Sequence, residues 1–175
     1  MTSSLEGRLR ARIRDVPDFP RPGILFKDIT PLLGDPDALR EACGAMADAW
    51  RGARVTHVVA VESRGFLFGG AVAIGLGAGL VPVRKPGKLP YHCSREEYAL
   101  EYGTDALEMH SDAVAAGARV VIIDDVLATG GTAAATRRLV ERHGAEVVGC
   151  GFLIELGFLN GRQALGTRVE SVLTY

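Results

Sequence analysis

The sequence predicts an α/β fold, a mostly parallel, twisted sheet flanked by helices on both faces. Short apolar runs recur along the chain: "HVVAV" at 57–61, "LVPVR" at 80–84, "RVVIID" at 119–124 and "EVVGCGFLI" at 146–154. Runs that are apolar at nearly every position suit strands covered on both sides, as in parallel sheets. The segments between them read as helices, and strands alternating with helices imply parallel crossovers. The polar motifs follow the strands, at the carboxyl ends where open α/β sheets bind ligands. At 175 residues the chain is expected to form one domain, 1–175, large enough to bury roughly 70% of its unfolded surface.

Each element has a local reason. Leu5, Leu9 and Ile13 recur every four residues and predict an amphipathic helix, with Arg8, Arg10, Arg12 and Arg14 around it. Arginines so spaced diverge on a helix, which reads as solvated or dimer-facing rather than as a nucleic-acid arm. "DVPDFPRPGILFKDITPLLGDP" holds five of the eight prolines. Proline fixes φ and lacks an amide donor, so a folded loop or hood is expected over about 15–36. Asp35 then caps a helix with Leu39, Cys43, Met46, Ala47 and Trp50 on one face. A helix from about 66 to 76 links the strands at 57–61 and 80–84. The excursion "KPGKLPYHCSREEYALEYGTDALEMH" predicts a movable flap over about 85–106, with strand character near 98–102 and 107–110. A helix to about 143, the strand at 146–154, a helical turn and a last strand near 169–173 complete the alternation. No repeat, low-complexity tract or second domain is expected.

Composition limits the function. Twenty basic and 21 acidic residues leave a net charge of −1, so no global field favours nucleic acid and anion recognition must be local. Cys43, Cys93 and Cys150 lack CxxC spacing, which argues against a disulfide framework or zinc site and for a reducing cytoplasm. "MTSSLEGRLRARIR" lacks the apolar stretch of a secretory signal. Residues 66–83 carry no charge, but five glycines and Pro82 make them read as a helix end turning into a strand, not a membrane span.

The loop "DDVLATGGT" at 124–132 follows a strand and carries the chemistry. It lacks the lysine of a GxxxxGK[ST] loop, and GxGxxG is absent, which disfavours nucleotide triphosphatases and dinucleotide dehydrogenases. Amides of Ala128, Thr129, Gly130, Gly131 and Thr132 at a helix start suit one phosphate monoester, assisted by the two threonine hydroxyls. Asp124 and Asp125 only accept hydrogen bonds. They suit the 2′ and 3′ hydroxyls of a ribose whose 5′-phosphate lies in the loop, and favour positive charge developing on its ring.

"VVIIDDVLATGGT" resembles the 5-phosphoribosyl-1-pyrophosphate (PRPP) motif of type I phosphoribosyltransferases. "FPRPGILFKDITPLL", "ESRGFLFGGAVA", "VPVRKPGKLP" and "YALEYGTDALEMH" resemble the adenine-using members of that family, a similarity running from about 16 to 156. The resemblance implies transfer of phosphoribose from PRPP to adenine, giving AMP and pyrophosphate, with Mg²⁺ held mainly through PRPP rather than by direct protein ligands. It implies a type I phosphoribosyltransferase-like fold with an N-terminal hood and a flexible flap, and a homodimer. Ser63 amides and Arg64 would bind the pyrophosphate, after a cis peptide between Glu62 and Ser63. Arg84, Lys85 and Lys88 match the basic flap base, the first reaching a neighbouring subunit's site. Leu25 would read adenine through its main chain, Phe26 would stack on the ring, and Lys27 would border the pocket where the family often has Arg. Glu101 would receive the adenine proton and Tyr102 would help close the flap. Two rivals remain: the same transfer to another purine base, and a non-catalytic PRPP or purine sensor.

Overall fold

The computed structural model describes residues 4–99 and 104–175. The flap positions Glu101 and Tyr102 lie outside the described residues. The chain divides into two compact units, Met1–Ala45 and Met46–Tyr175.

In the first unit, α1 spans Leu5–Arg10, and the Ser4 hydroxyl accepts from the Gly7 amide at 3.2 Å to cap it. The helix ends before Ile13: the amides of Arg12 and Ile13 turn back onto the carbonyls of Leu9 and Arg10, and strand β1 (Arg14–Pro17) begins. It pairs antiparallel with β2 (Leu25–Asp28), from Arg14 opposite Asp28 to Pro17 opposite Leu25. The expected irregular loop is therefore largely regular. Pro17 ends its strand and Pro20 and Pro22 lie in the connection, so the two-stranded ladder loses little by them. A short α2 (Thr30–Leu33) follows with Pro31 in its first turn, where an amide donor is not needed. Asp35 accepts from the amides of Asp37 (3.0 Å) and Ala38 (3.1 Å) and caps α3 (Pro36–Asp48), as its position suggested. Ala38, Ala42, Met46 and Ala47 of α3 are buried while Leu39 and Cys43 are half-buried, and Trp50 lies past the helix end. The buried stripe is thus shifted from the expected face.

In the second unit, β3 (His57–Val61), α4 (Gly65–Leu76) and β4 (Gly79–Val83) lead into an antiparallel pair, β5 (Cys93–Ala99) and β6 (Thr104–His110). Then come β7 (Arg119–Leu127), α5 (Gly131–Glu141), β8 (Glu146–Glu155), 3₁₀ turns at Gly157–Leu159 and Gly161–Ala164, and β9 (Val169–Thr174). Among the described residues, β4, β3, β7, β8 and β9 form one sheet in that order, every adjacent pair parallel. Three strand boundaries differ clearly from expectation: β5 and β6 both start earlier, and β7 continues past Asp124 because Asp124, Val126 and Leu127 still pair with β8.

Helices cover both faces of this sheet. Val59, Ile122 and Phe152 share a buried cluster with Leu139 and Val140 of α5. On the other face α4 lies so close to β3 that a Cβ on Gly69 would meet the Ala60 methyl at 2.5 Å. Trp50 packs beneath Gly149 and Gly151. Full burial of each large apolar side chain contributes about 1.5–3 kcal/mol, so the two layers fix the strand ends firmly. Residues 66–83 divide at Gly77, a left-handed helix cap with φ 65°. Among the described residues no helix is long and apolar enough to cross a membrane.

Candidate active site

The carboxyl ends of three adjacent parallel strands lie side by side. Val61 pairs with Val83, and Ala60 with both Pro82 and Ile123. The motifs at 62–65, 84–88 and 124–132 therefore start at one edge of the sheet, and side chains join them. Arg64 donates through Nε to Asp125 Oδ2. The Glu62 carboxylate accepts from Arg84 Nε and a terminal Arg84 nitrogen, each at 3.1 Å, and from the Lys85 amide at 3.0 Å. These hydrogen bonds, from Arg84 above all, hold the Glu62 carboxyl below the usual carboxylate range. The peptide between Glu62 and Ser63 is cis.

The acid pair sits on the last turns of β7. Asp125 is almost wholly buried, and its amide donates to Asp124 Oδ1 at 2.9 Å. Burial, and then the neighbouring Asp125 charge, push the Asp124 carboxyl well above its ordinary range. Gly65 makes this proximity possible: a Cβ there would meet the Ile123 carbonyl at 2.8 Å and Asp124 Oδ1 at 3.0 Å.

Residues 128–130 form the turn after β7, and Gly130, at φ 84°, is the N-cap of α5. The conformation favours glycine, and so does the space, because a Cβ would lie 2.5 Å from the Gly161 carbonyl oxygen. A Cβ on Gly161 would in turn collide with the Ala128 carbonyl. The loop at 128–132 thus rests, backbone to backbone, on the second 3₁₀ turn. That turn is held by Arg162, which donates to both oxygens of the buried Glu155 at 2.6 and 2.7 Å and to the Val169 carbonyl at 2.8 Å. The first amides of α5 have no intrahelical acceptor and form the positive end of the helix dipole, a fitting cradle for one phosphate.

The basic turn after β4 is tied to the β5–β6 pair. Arg84 and Glu108 exchange backbone hydrogen bonds of 2.9 and 2.7 Å, and Arg84 also donates to the Lys88 carbonyl at 3.0 Å. Lys85 donates to Asp105, which accepts from the Tyr98 hydroxyl at 3.2 Å as well. Burial opposes the Lys85 charge, but Asp105 and Tyr98 outweigh it and raise the ammonium pKa. Lys88 is exposed.

Ser63, Arg64, Arg84, Lys85, Lys88, Asp124, Asp125 and the loop at 128–132 all belong to the second unit. Leu25, Phe26 and Lys27 lie on β2 in the first. Leu25 is exposed, Phe26 meets Phe19 edge-on at 5.2 Å, and Lys27 pairs with Asp15 at 2.6 Å. Sequence reasoning missed Glu62, Tyr98, Asp105 and the Glu155–Arg162 support. Glu62, Tyr98 and Asp105 stood inside quoted motifs without a role; Glu155 and Arg162 carry no local signal, because only the tertiary fold brings them against the loop.

A family model described as a phosphoribosyl transferase domain matches residues 36–164. Together with an acid pair running into a glycine–threonine loop, that match defines a phosphoribosyltransferase. The chain is 59% identical over 168 residues to the adenine phosphoribosyltransferase of Anaeromyxobacter dehalogenans (strain 2CP-1), covering 95% of this chain and 98% of the relative. The crystal structure of the Rhodothermus marinus adenine phosphoribosyltransferase superposes with a TM-score of 0.93 at 57% identity, over 98% of each chain. The Saccharomyces cerevisiae enzyme, complexed with an imino-altritol bisphosphate and adenine, gives 0.90 at 41% identity, over 96% of this chain and 98% of that one. The chain belongs to the adenine phosphoribosyltransferase family.

Proposed function

We infer that the protein transfers the 5-phosphoribosyl group of PRPP to adenine, giving AMP and pyrophosphate in purine salvage. The observation that carries this is the Asp124–Asp125 pair beside a phosphate loop, with Arg64 donating to Asp125. Ala128, Thr129, Gly130, Gly131 and Thr132 hold the 5′-phosphate, and the two aspartates hold the ribose hydroxyls. Arg64 donates through Nε to Asp125, and the forked guanidinium suits a residue that meets the departing pyrophosphate. Ser63, Lys85 and Lys88 add donors to the pyrophosphate, and Arg84 reaches toward a second subunit of a homodimer. Leu25 reads adenine through its main chain, Phe26 stacks on the base, Lys27 borders the pocket and Tyr102 closes over it. As the bond from C1′ to the pyrophosphate oxygen breaks, its electrons leave with pyrophosphate. The N9 lone pair then forms the new bond to C1′, and the N9 proton passes to Glu101.

The donor set fits a cation brought in by the substrate. Mg²⁺ typically uses one or two carboxylates plus substrate phosphates, and among the described residues no group of three or more His, Cys, Asp or Glu side chains forms a cage. Bound through PRPP, Mg²⁺ would neutralise charge accumulating on pyrophosphate. One phosphoribosyltransferase domain over 1–175, with hood about 15–36 and flap about 85–106, and a cytoplasmic location complete the reading; three free thiols suit a reducing compartment.

The test is purified protein with PRPP, Mg²⁺ and adenine, hypoxanthine or xanthine in turn. AMP formation should greatly exceed formation of IMP or XMP. Equal rates refute the choice of adenine, and no product with any base favours a sensor.

A further inference from the structure

Four side chains form an unbroken path from the phosphate loop to the basic turn. The Thr132 hydroxyl donates to Tyr98 Oη at 3.4 Å, and Tyr98 donates to Asp105 Oδ2 at 3.2 Å. Lys85 Nζ donates to that same oxygen. The other Asp105 oxygen accepts from the Ala106 amide at 2.8 Å, which fixes the carboxylate. Tyr98 is buried, and its strand is docked along α5. Glu96 pairs with Arg138 (2.6 Å) and Arg142, and Ser94 with His143 at 3.0 Å. Tyr98 therefore approaches the first turn of α5 on a strand that cannot readily shift.

Building on the proposed function, we propose that Tyr98 and Asp105 are positioning residues that hold Thr132 and Lys85 as one preorganised unit for PRPP. Thr132 meets the 5′-phosphate and Lys85 meets the pyrophosphate, so the path spans the anionic ends of one substrate. A lysine side chain free to rotate loses conformational freedom on binding; Asp105 removes that loss beforehand. Tyr98 accepts the single Thr132 hydroxyl proton, which fixes that side chain and leaves the Thr132 amide to meet the phosphate, and it links β5 to the loop that receives it.

The test uses full-length Tyr98→Phe, Asp105→Asn, Lys85→Met and the Asp105→Asn/Lys85→Met double variant. The KM for PRPP should rise roughly 3- to 10-fold in Tyr98→Phe and about 10-fold or more in Asp105→Asn, the size expected for lost hydrogen bonds. The KM for adenine and kcat should stay within about twofold, because each substitution acts on the anion end of the site. Asp105→Asn should add less than about twofold to Lys85→Met, since it works through that ammonium. An unchanged KM for PRPP in Tyr98→Phe and Asp105→Asn overturns the proposal. So does a parallel loss of kcat, adenine binding and thermal stability, or a double variant whose effects multiply. Calorimetry separates this from failure of the proposed reaction. Tyr98→Phe should weaken ribose 5-phosphate binding and Asp105→Asn pyrophosphate binding by similar factors even if no AMP forms; undiminished binding in both sinks the inference.

Discussion

Asp124 and Asp125 are adjacent, yet the fold treats them oppositely. Asp125 is nearly sealed and held by Arg64, while Asp124 carries a raised pKa caused by burial and by its neighbour's charge. Between the ordinary value of 3.8 and the raised one, the folded protein retains a proton the unfolded chain has lost. Stability must therefore fall as pH rises through that window. Asp124→Asn should raise Tm at pH 7, by about 2–4 °C for each kcal/mol relieved, and lose the advantage as pH drops toward 4. Thermal melts across pH check this; a lower Tm at pH 7 would contradict it. Asp125→Asn should behave differently. The guanidinium it meets is 48% exposed and stays hydrated without it, so stability changes by about 1 kcal/mol or less. Turnover should drop about 10²-fold or more, because the charge proposed to face the ribose is gone. Steady-state AMP formation beside a denaturation curve separates the two quantities.

The second 3₁₀ turn shows how an element without chemistry supports one that has it. Gly161–Ala164 lies against the loop at 128–132 at backbone contact, and the Glu155–Arg162 pair keeps it there. Arg162→Ala leaves Glu155 buried without its cation. The cost should be about 2 kcal/mol, below that of a fully buried pair because the Arg162 side chain is half exposed. The KM for PRPP should rise while that for adenine holds, since the loop loses its backing; equal changes in both would remove this role from the turn. The proline-rich segment teaches the converse. Its prolines argued for irregular structure, yet they occupy the strand end, the connection and the first turns of α2 and α3, places where a missing amide is harmless. Composition counted them, but only pairing revealed where they fall.

Across the second unit, the site depends on layers that touch no ligand. Trp50 is buried under Gly149 and Gly151, with Arg168 over its ring at 4.7 Å. Trp50→Ala should cost about 3–5 kcal/mol and lower Tm by roughly 6 °C or more. The KM for PRPP of the molecules that remain folded should be unchanged. A variant that keeps its Tm, or one that loses PRPP affinity first, would show that this layer does not act as argued.

The strand alternation, the Asp35 cap, the acid pair and the glycine–threonine loop were legible in the chain because each depends on residues a few positions apart. Periodicity, capping and turn chemistry act over that range. The pairing of Arg64 with Asp125, 61 positions away, and of Lys85 with Asp105, 20 away, was decided by the tertiary structure. So was the need for Gly65 and Gly161, whose missing side chains leave room for backbone that arrives from elsewhere. Sheet order and register bring such partners together, and these come from burying many apolar surfaces at once, which no short stretch encodes.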